Sequence, residues 1–237
     1  MKVVISQPML FPWVGMLEQI MLADVFVHYA DVQFSKGSFT NRVQIKDSTG
    51  QRWLTVPLGK FHLGDRIDQV QLADSDWRES HLHLLEQAYE AAPYAQEMLA
   101  LVRAVYQADY ANVGELGLAS MQAVCRYLDI PLQDKLRDSA ALGIPGGNSD
   151  RVLAIVRHLH GNTYITGHGA KNYLAHTEFE QHGITVEYMN YAKRPYRQLH
   201  GEFTPFVSSL DLIANHGPAS KPYLCPQTLN WRQVIHE

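Results

Sequence analysis

Three short stretches of the chain concentrate the residue types that bind and react. The first is Gln7-Pro8-Met9-Leu10-Phe11-Pro12-Trp13, an amide followed by two prolines and two aromatics. Prolines fix φ and stiffen such a loop, and rings wall it. Gln7 needs partners if buried, so Gln7, Pro8 and Trp13 are candidates to hold a polar ligand. A helix starting just after them would offer free backbone amides to a phosphate or carboxylate. The second stretch runs from Asp31 to Arg42. It carries one acid (Asp31), two amides (Gln33, Asn41) and two cations (Lys36, Arg42), with Phe34 and Phe39 between them. That density suits a polar ligand that also stacks. Arg42 can grip a phosphate or carboxylate with both arms, and Asp31 can move a proton. The third is Gly167-His168-Gly169-Ala170-Lys171-Asn172-Tyr173. Its glycines let backbone come close to a ligand, and His168 can act as general acid or base near neutral pH. A plainer reading stands beside each: Phe11 and Trp13 as core, Lys36 and Arg42 as surface charges, the glycines as turn residues.

The elements that must position these residues form a recognisable pattern. An apolar run over Val3–Ser6 ends at Gln7, Val14–Ala23 reads as a helix, and a second apolar run covers Val25–Tyr29. Strand, crossover helix and parallel strand is the simplest account. Ligands of such sheets bind beyond the carboxyl ends of the strands, where Gln7 and the Asp31–Arg42 stretch fall. Residues 148 to 191 repeat the theme. A helix capped by Asn148 or Ser149 stops at Gly161, TYITG is a strand, Lys171 to His182 a helix, and ITVEYMNY a strand. If these strands are parallel in one sheet, the three polar stretches meet in one pocket.

Between the two halves, residues 41 to 72 read as β structure: NRVQIKD, QRWLTVPL and IDQVQLA, with a turn over Asp47–Gly50. A helical insert follows over about 75–135, with Asp76 capping one helix, Pro93 preceding a second, and Asn112 capping a third. Residues 139 to 149 read as a flexible connector, 208 to 214 as a short helix, and the last twenty residues as surface packing. The fold class expected is α/β: a central, mostly parallel sheet with a helical insertion and a short β-rich segment, in one domain over residues 1–237.

Composition narrows the function. Of 237 residues, 46% are hydrophobic and 19% charged, with a formal net charge of -4. This balance gives no drive toward nucleic acid. No apolar run approaches the roughly 18 residues of a membrane span, and the start lacks a secretion signal, so a soluble, cytoplasmic protein without membrane insertion is expected. Cys125 and Cys225 lack metal or redox spacing. The twelve histidines include no HExxH and no set at ligand spacing, so no metal held by histidines is expected. GxSxG and the P-loop are absent, and GHGAKN fails the dinucleotide pattern at its third glycine.

The motifs together resemble a known family. QPMLFPWVGMLEQIMLADVFVHYADVQFSKGSFTNRVQI, WLTVPL, DRVLAIVRHLHGNTYITGHGAKNYL, FEQHGITVEYMNY and FTPFVSSLDLIANHG are similar, in this order, to the WbqC-like family of bacterial proteins. The helical middle carries little of the likeness. The family takes its name from a protein encoded among O-antigen biosynthesis functions, and its members are described as glycine transferases or aminotransferases. The resemblance therefore implies a surface-polysaccharide or related biosynthetic setting. It implies a transferase of a small acyl or aminoacyl group, such as glycyl, to a sugar or other metabolite. Where the family often has paired acids before VQ, this chain has Ala30-Asp31, which puts any two-acid role in doubt. The alternative is a nucleotide- or sugar-nucleotide-binding protein, nucleotidyltransferase-like or a non-catalytic accessory module. The HxGH motif of nucleotidyltransferases is replaced here by PWVG, so that likeness concerns architecture alone. A pyridoxal-phosphate enzyme is disfavoured, because no lysine has a Schiff-base frame. The partner expected is a small molecule or sugar nucleotide; neither a cofactor nor an oligomeric state follows.

Overall fold

A computed structural model describes residues 1–235. The chain starts as expected: β1 (Lys2–Ser6), α1 (Val14–Leu22) and β2 (Val25–His28). β1 and β2 are parallel neighbours, with Val3 beside Val25 and Ser6 beside His28. Alternating side chains feed two cores. Val4 and Phe26 join the layer built on α1, while Val3, Ile5, Val25 and Val27 join the opposite layer. Apolar residues on both faces are what a parallel sheet covered on both sides requires.

The central sheet has six strands in the order β5-β2-β1-β6-β7-β8. Here β5 is Leu136–Asp138, β6 Thr163–Thr166, β7 Thr185–Met189 and β8 Thr228–Asn230. The first five are parallel to their neighbours, and β8 is antiparallel to β7. Winding proceeds one way from β1 through β2 to β5. It then jumps across β1 to β6 and continues outward, as in doubly wound nucleotide-binding sheets. The crossover after β5 contains α5 (Asn148–His158), and α6 (His176–Gln181) joins β6 to β7. Both pack on the face opposite α1, through Val152, Val156 and Phe179.

The β-rich segment is a separate hairpin of β3 (Arg42–Asp47) and β4 (Gly50–Thr55). Its turn is closed by Asp47, whose Oδ1 accepts from the Thr49 N–H at 2.8 Å and from its hydroxyl at 2.7 Å. The helical insert comprises α2 (Trp77–Tyr89), α3 (Ala95–Tyr106) and α4 (Val113–Tyr127). Leu85, Val102 and Leu116 belong to the same apolar cluster as Val4, Leu17 and Phe26, so the insert covers the α1 face of the sheet. Asp76 precedes α2 without a side-chain bond to it. Asn112 does cap α4: its Oδ1 accepts the Glu115 N–H at 3.0 Å. Asn112→Ala is expected to lower stability by about 1 kcal/mol, measurable by urea denaturation.

Four further expectations, besides the Asp76 cap, need correction. IDQVQLA is not a strand: Ile67–Gln69 form a 3-10 turn. Ile67 and Val70, three apart, both pack on Ala30, Phe34 and Val113, a turn's spacing rather than a strand's. The helix expected from Lys171 to His182 is broken into a 3-10 turn, His168–Asn172, and α6. Contacts distant in sequence win there, because the Ala175 N–H donates to Ser149 Oγ at 2.9 Å and His176 bonds the Tyr188 hydroxyl at 2.8 Å. Ser149 is thereby engaged elsewhere and does not cap α5. Asn148 does not cap it either; it begins the helix after Gly147, with φ +49°. The tail does more than cover the surface. β8 extends the sheet, and α8 (Trp231–Ile235) buries Trp231 in the layer beneath it; residues 236–237 lie outside the described ones. The short helix near 208 is α7 (Ser209–His216). No helix among the described residues is long and apolar enough to cross a membrane.

Candidate functional site

The point where winding reverses, between β1 and β6, opens into a cleft of about 570 Å3. Gln7 follows β1 into it, and Gly167-His168-Gly169 follow β6. Trp13, Phe39, Tyr191 and Phe206 wall it. A second compartment of about 480 Å3 is lined by Asp31, Gln33, Gly146, Gly147, Asn148 and Arg151. Gln7, Tyr29 and Tyr173 border both compartments, so the two lie side by side at the carboxyl ends of β1, β2 and β6.

The loop after β1 is held rigidly. Phe11 is fully buried and adopts φ +36°, a conformation a bulky residue keeps only when its surroundings impose it. Here the Phe11 N–H donates to Ser120 Oγ at 2.8 Å, and the Phe11 carbonyl accepts from Ser208 Oγ at 2.7 Å. Pro8 packs on α4, where a Cβ at Gly117 would stand 2.9 Å from Pro8 Cβ. Phe11 is therefore core. Trp13 lines the cleft at the start of α1, its ring centroid 4.7 Å from that of Tyr191. Val14 and Gly15, the first residues of α1, line a separate small cavity that Trp13 also borders, and are not among the residues lining the main cleft.

The loop after β6 presents His168. Its Nε2 lies 2.7 Å from the Met189 carbonyl. A carbonyl only accepts, so Nε2 carries the hydrogen and Nδ1 holds the lone pair of the neutral ring. Gly167 is needed for close approach: a Cβ there would stand 3.3 Å from both Gln19 Nε2 and the Tyr191 hydroxyl, which are themselves bonded at 2.9 Å. Burial raises the Tyr29 and Tyr173 hydroxyls above their ordinary range and pushes Tyr191 up to about 12. All three are O–H donors at neutral pH.

The second compartment is organised by an ion pair between Asp31 and Arg151, both nearly buried. Asp31 also accepts from Ser139 Oγ at 2.5 Å. Arg151 Nε donates to the Ile144 carbonyl at 2.8 Å, and the guanidinium lies 5.0 Å from the Tyr29 ring centroid. Burial works to raise the Asp31 carboxyl, but the bonds from Arg151 and Ser139 and the charge of Arg151 outweigh it and hold it below the ordinary range. Such a carboxylate orients Arg151; it is poorly suited to moving a proton.

The remaining candidates divide. Gln33 lines the second compartment and Tyr173 lines both. Asn41 is buried, its Nδ2 donating to the Val56 carbonyl at 2.9 Å. Arg42 bonds the Gly37 carbonyl and lies 4.1 Å from the Trp53 ring centroid, outside both compartments. Lys36 and Asn172 are exposed and line neither, and Lys171 bonds the Val234 carbonyl at 3.4 Å. From the 31–42 stretch the main cleft takes Ser38, Phe39 and Thr40 instead. Arg151, Tyr29, Gln19 and Tyr191 were missed. The available signal for Arg151 was its place one turn after Gly146-Gly147, itself read as a mere connector. No group of three or more His, Cys, Asp or Glu side chains among the described residues is placed to hold a metal ion.

Comparison with known proteins bears on the whole site. The model of the WbqC-like protein family matches residues 7–223, a span that contains every loop described above. "Uncharacterized protein Rv1507c" of Mycobacterium tuberculosis (strain ATCC 25618 / H37Rv) is 32% identical over 228 residues, covering 94% of this chain and 97% of the relative. No solved structure matches. The chain belongs to the WbqC-like protein family.

Proposed function

We propose that this chain is a transferase that seats a sugar-nucleotide-type substrate across the two adjacent compartments and moves a small acyl or aminoacyl group onto it. The observation that carries this reading is the position of the cleft at the reversal point between β1 and β6, where doubly wound sheets receive their ligands. The two halves differ in a way that suits a two-part substrate. Aromatic walls favour a base or sugar ring, and Arg151 beside Gly146 and Gly147 favours phosphate. His168 Nδ1 is the group suited to take the proton from the attacking hydroxyl or amine as that atom bonds the acyl carbon and the donor's leaving group departs. The reading treats residues 1–237 as one domain, supported by the core that the insert shares with the sheet. The surface-polysaccharide setting is what the family likeness favours.

A binding module without catalysis is the second reading. It is favoured by the engagement of Asp31 with Arg151, which leaves His168 as the one proposed proton carrier. Thermal shift against nucleotides, nucleotide sugars, glycine and acyl-CoA tests both readings. A ligand at a hundred times its Kd adds about 2.7 kcal/mol of stability, and nucleotide sugars are expected to do so. His168 is exposed but holds the Met189 carbonyl, so His168→Ala is expected to lower stability by about 1 kcal/mol and to lower transfer by about 10^2 to 10^4. Stabilisation without turnover in either protein supports the binding module. Absence of stabilisation by every nucleotide-bearing compound overturns both.

A further inference from the structure

Beneath Trp13 lies a second cavity of about 20 Å3, enough for one water-sized group. Trp13, Tyr191, Tyr196, Phe203 and Tyr223 line it, and Glu18 of α1 borders it. Gly15 makes room for this arrangement, since a Cβ there would stand 2.3 Å from Trp13 and 2.6 Å from Tyr191. Glu18 is only 2% exposed. Its Oε1 accepts from the Cys225 N–H at 2.9 Å, and no donor among the described residues reaches Oε2.

A carboxylate largely withdrawn from bulk water, with one oxygen that no protein donor reaches and that opens only to the cavity, favours a positive or hydrogen-bonding companion there. The surrounding aromatic faces carry negative quadrupole potential and attract cations. At the rim stand Lys193 and Arg194, both exposed. Arg194 Nη1 donates to the Pro222 carbonyl at 2.9 Å, and Lys193 Nζ lies 5.0 Å from the Phe206 ring centroid. These two cations disfavour a simple ammonium ion and favour one that carries an anionic group. We infer that this cavity is a subsite for the ammonium head of a small amine whose anionic end meets Lys193 and Arg194. Three N–H donors would satisfy Glu18 Oε2, and the rings would take the rest of the charge. Burial pushes the Glu18 carboxyl up to about 6, partly offset by the Cys225 bond, so at neutral pH it is anionic and poorly compensated.

This subsite goes beyond the transfer reading and is tested by binding alone. Trp13 and Tyr191 border both the cavity and the main cleft, so its occupant shares two walls with the cleft ligand. The experiment is a ligand-observed NMR titration of the full chain with 2-aminoethyl phosphate, methylammonium and ethyl phosphate. 2-Aminoethyl phosphate is expected to bind saturably, and more tightly than either fragment by about tenfold or more, as one added charge-assisted contact implies. Glu18→Gln is expected to weaken it by a similar factor. The exposed double variant Lys193→Ala/Arg194→Ala keeps the inference testable if Glu18→Gln fails to fold, and is expected to abolish the preference over methylammonium. Absence of saturable binding to the unaltered protein overturns the inference, because a lone water then suffices to fill the cavity. Equal binding by Glu18→Gln also overturns it, since the amine would be held elsewhere, and so does an unchanged preference in the double variant.

Discussion

Arg151→Met is expected to lower the unfolding free energy by about 3 kcal/mol, the largest loss foreseen for a single side chain of the site. Methionine keeps most of the aliphatic stem, so the loss isolates the charge. Asp31 would remain in its nearly buried position with Ser139 as its remaining side-chain partner. A buried charge stripped of its partner typically costs about 3–5 kcal/mol, and the lower end applies because the pair borders an open cleft. Adding Asp31→Asn to Arg151→Met should recover part of the loss, since no charge is then stranded. The pH dependence has a definite sign. The folded Asp31 carboxyl lies below its ordinary range, so its contribution is present above the unfolded value of about 3.9. It fades as pH falls through the lower folded value. The gap between wild type and Arg151→Met is therefore expected to narrow below about pH 4, read from urea midpoints at several pH values. A loss under about 1 kcal/mol at pH 7 would place the pair among solvent-exposed bridges and remove the reason to regard Arg151 as preorganised.

The same pair shows where reading the sequence succeeds and where it stops. β1, α1 and β2 were legible because apolar runs separated by a helix-length segment admit few arrangements, and β3 and β4 because Asp47 to Gly50 is a strong turn signal. β5 was not: Leu136-Arg137-Asp138 is three residues long, too short for any periodicity, and it pairs only because β2 offers a free edge. Gln7 and His168 were found because each directly follows an apolar strand, the position where a sheet delivers side chains to a ligand. Arg42 attracted attention by its neighbours in sequence, yet β3 carries it into a hairpin outside the sheet, where Trp53 and Gly37 occupy it. Arg151 went unnoticed because its partner Asp31 is 120 residues away. Such a pairing is created by the strand order β5-β2-β1-β6, which no local pattern encodes. The same holds for Tyr191, which reaches the cleft from beyond β7 and is recognisable only after Gly15 and Gly167 are seen to leave space for its ring.

Glu18→Gln is expected to make the ligand-free protein more stable at neutral pH. Burial lifts the Glu18 carboxyl from its ordinary value of 4.5 to about 6, a penalty of about 2 kcal/mol once the group is ionised in the folded state. The penalty is absent below about pH 4.5, grows as pH rises toward 6, and is complete above that. Glutamine retains an oxygen to accept the Cys225 N–H and carries no charge to desolvate. The variant should therefore gain up to about 2 kcal/mol at pH 7.5 and nothing at pH 4, measured as urea midpoints of both proteins at the two pH values. Histidines that titrate in this window do so in both proteins and cancel in the difference. A gain at pH 7.5 alone would mean that the native chain keeps a destabilising acid at the base of an aromatic cavity, the trade-off expected when a group serves binding rather than folding. Equal or lower stability of the variant at pH 7.5 would mean that the Glu18 carboxylate is already compensated within the folded protein. It would then have no unmet demand for a cation, and the amine subsite would lose its main physical support.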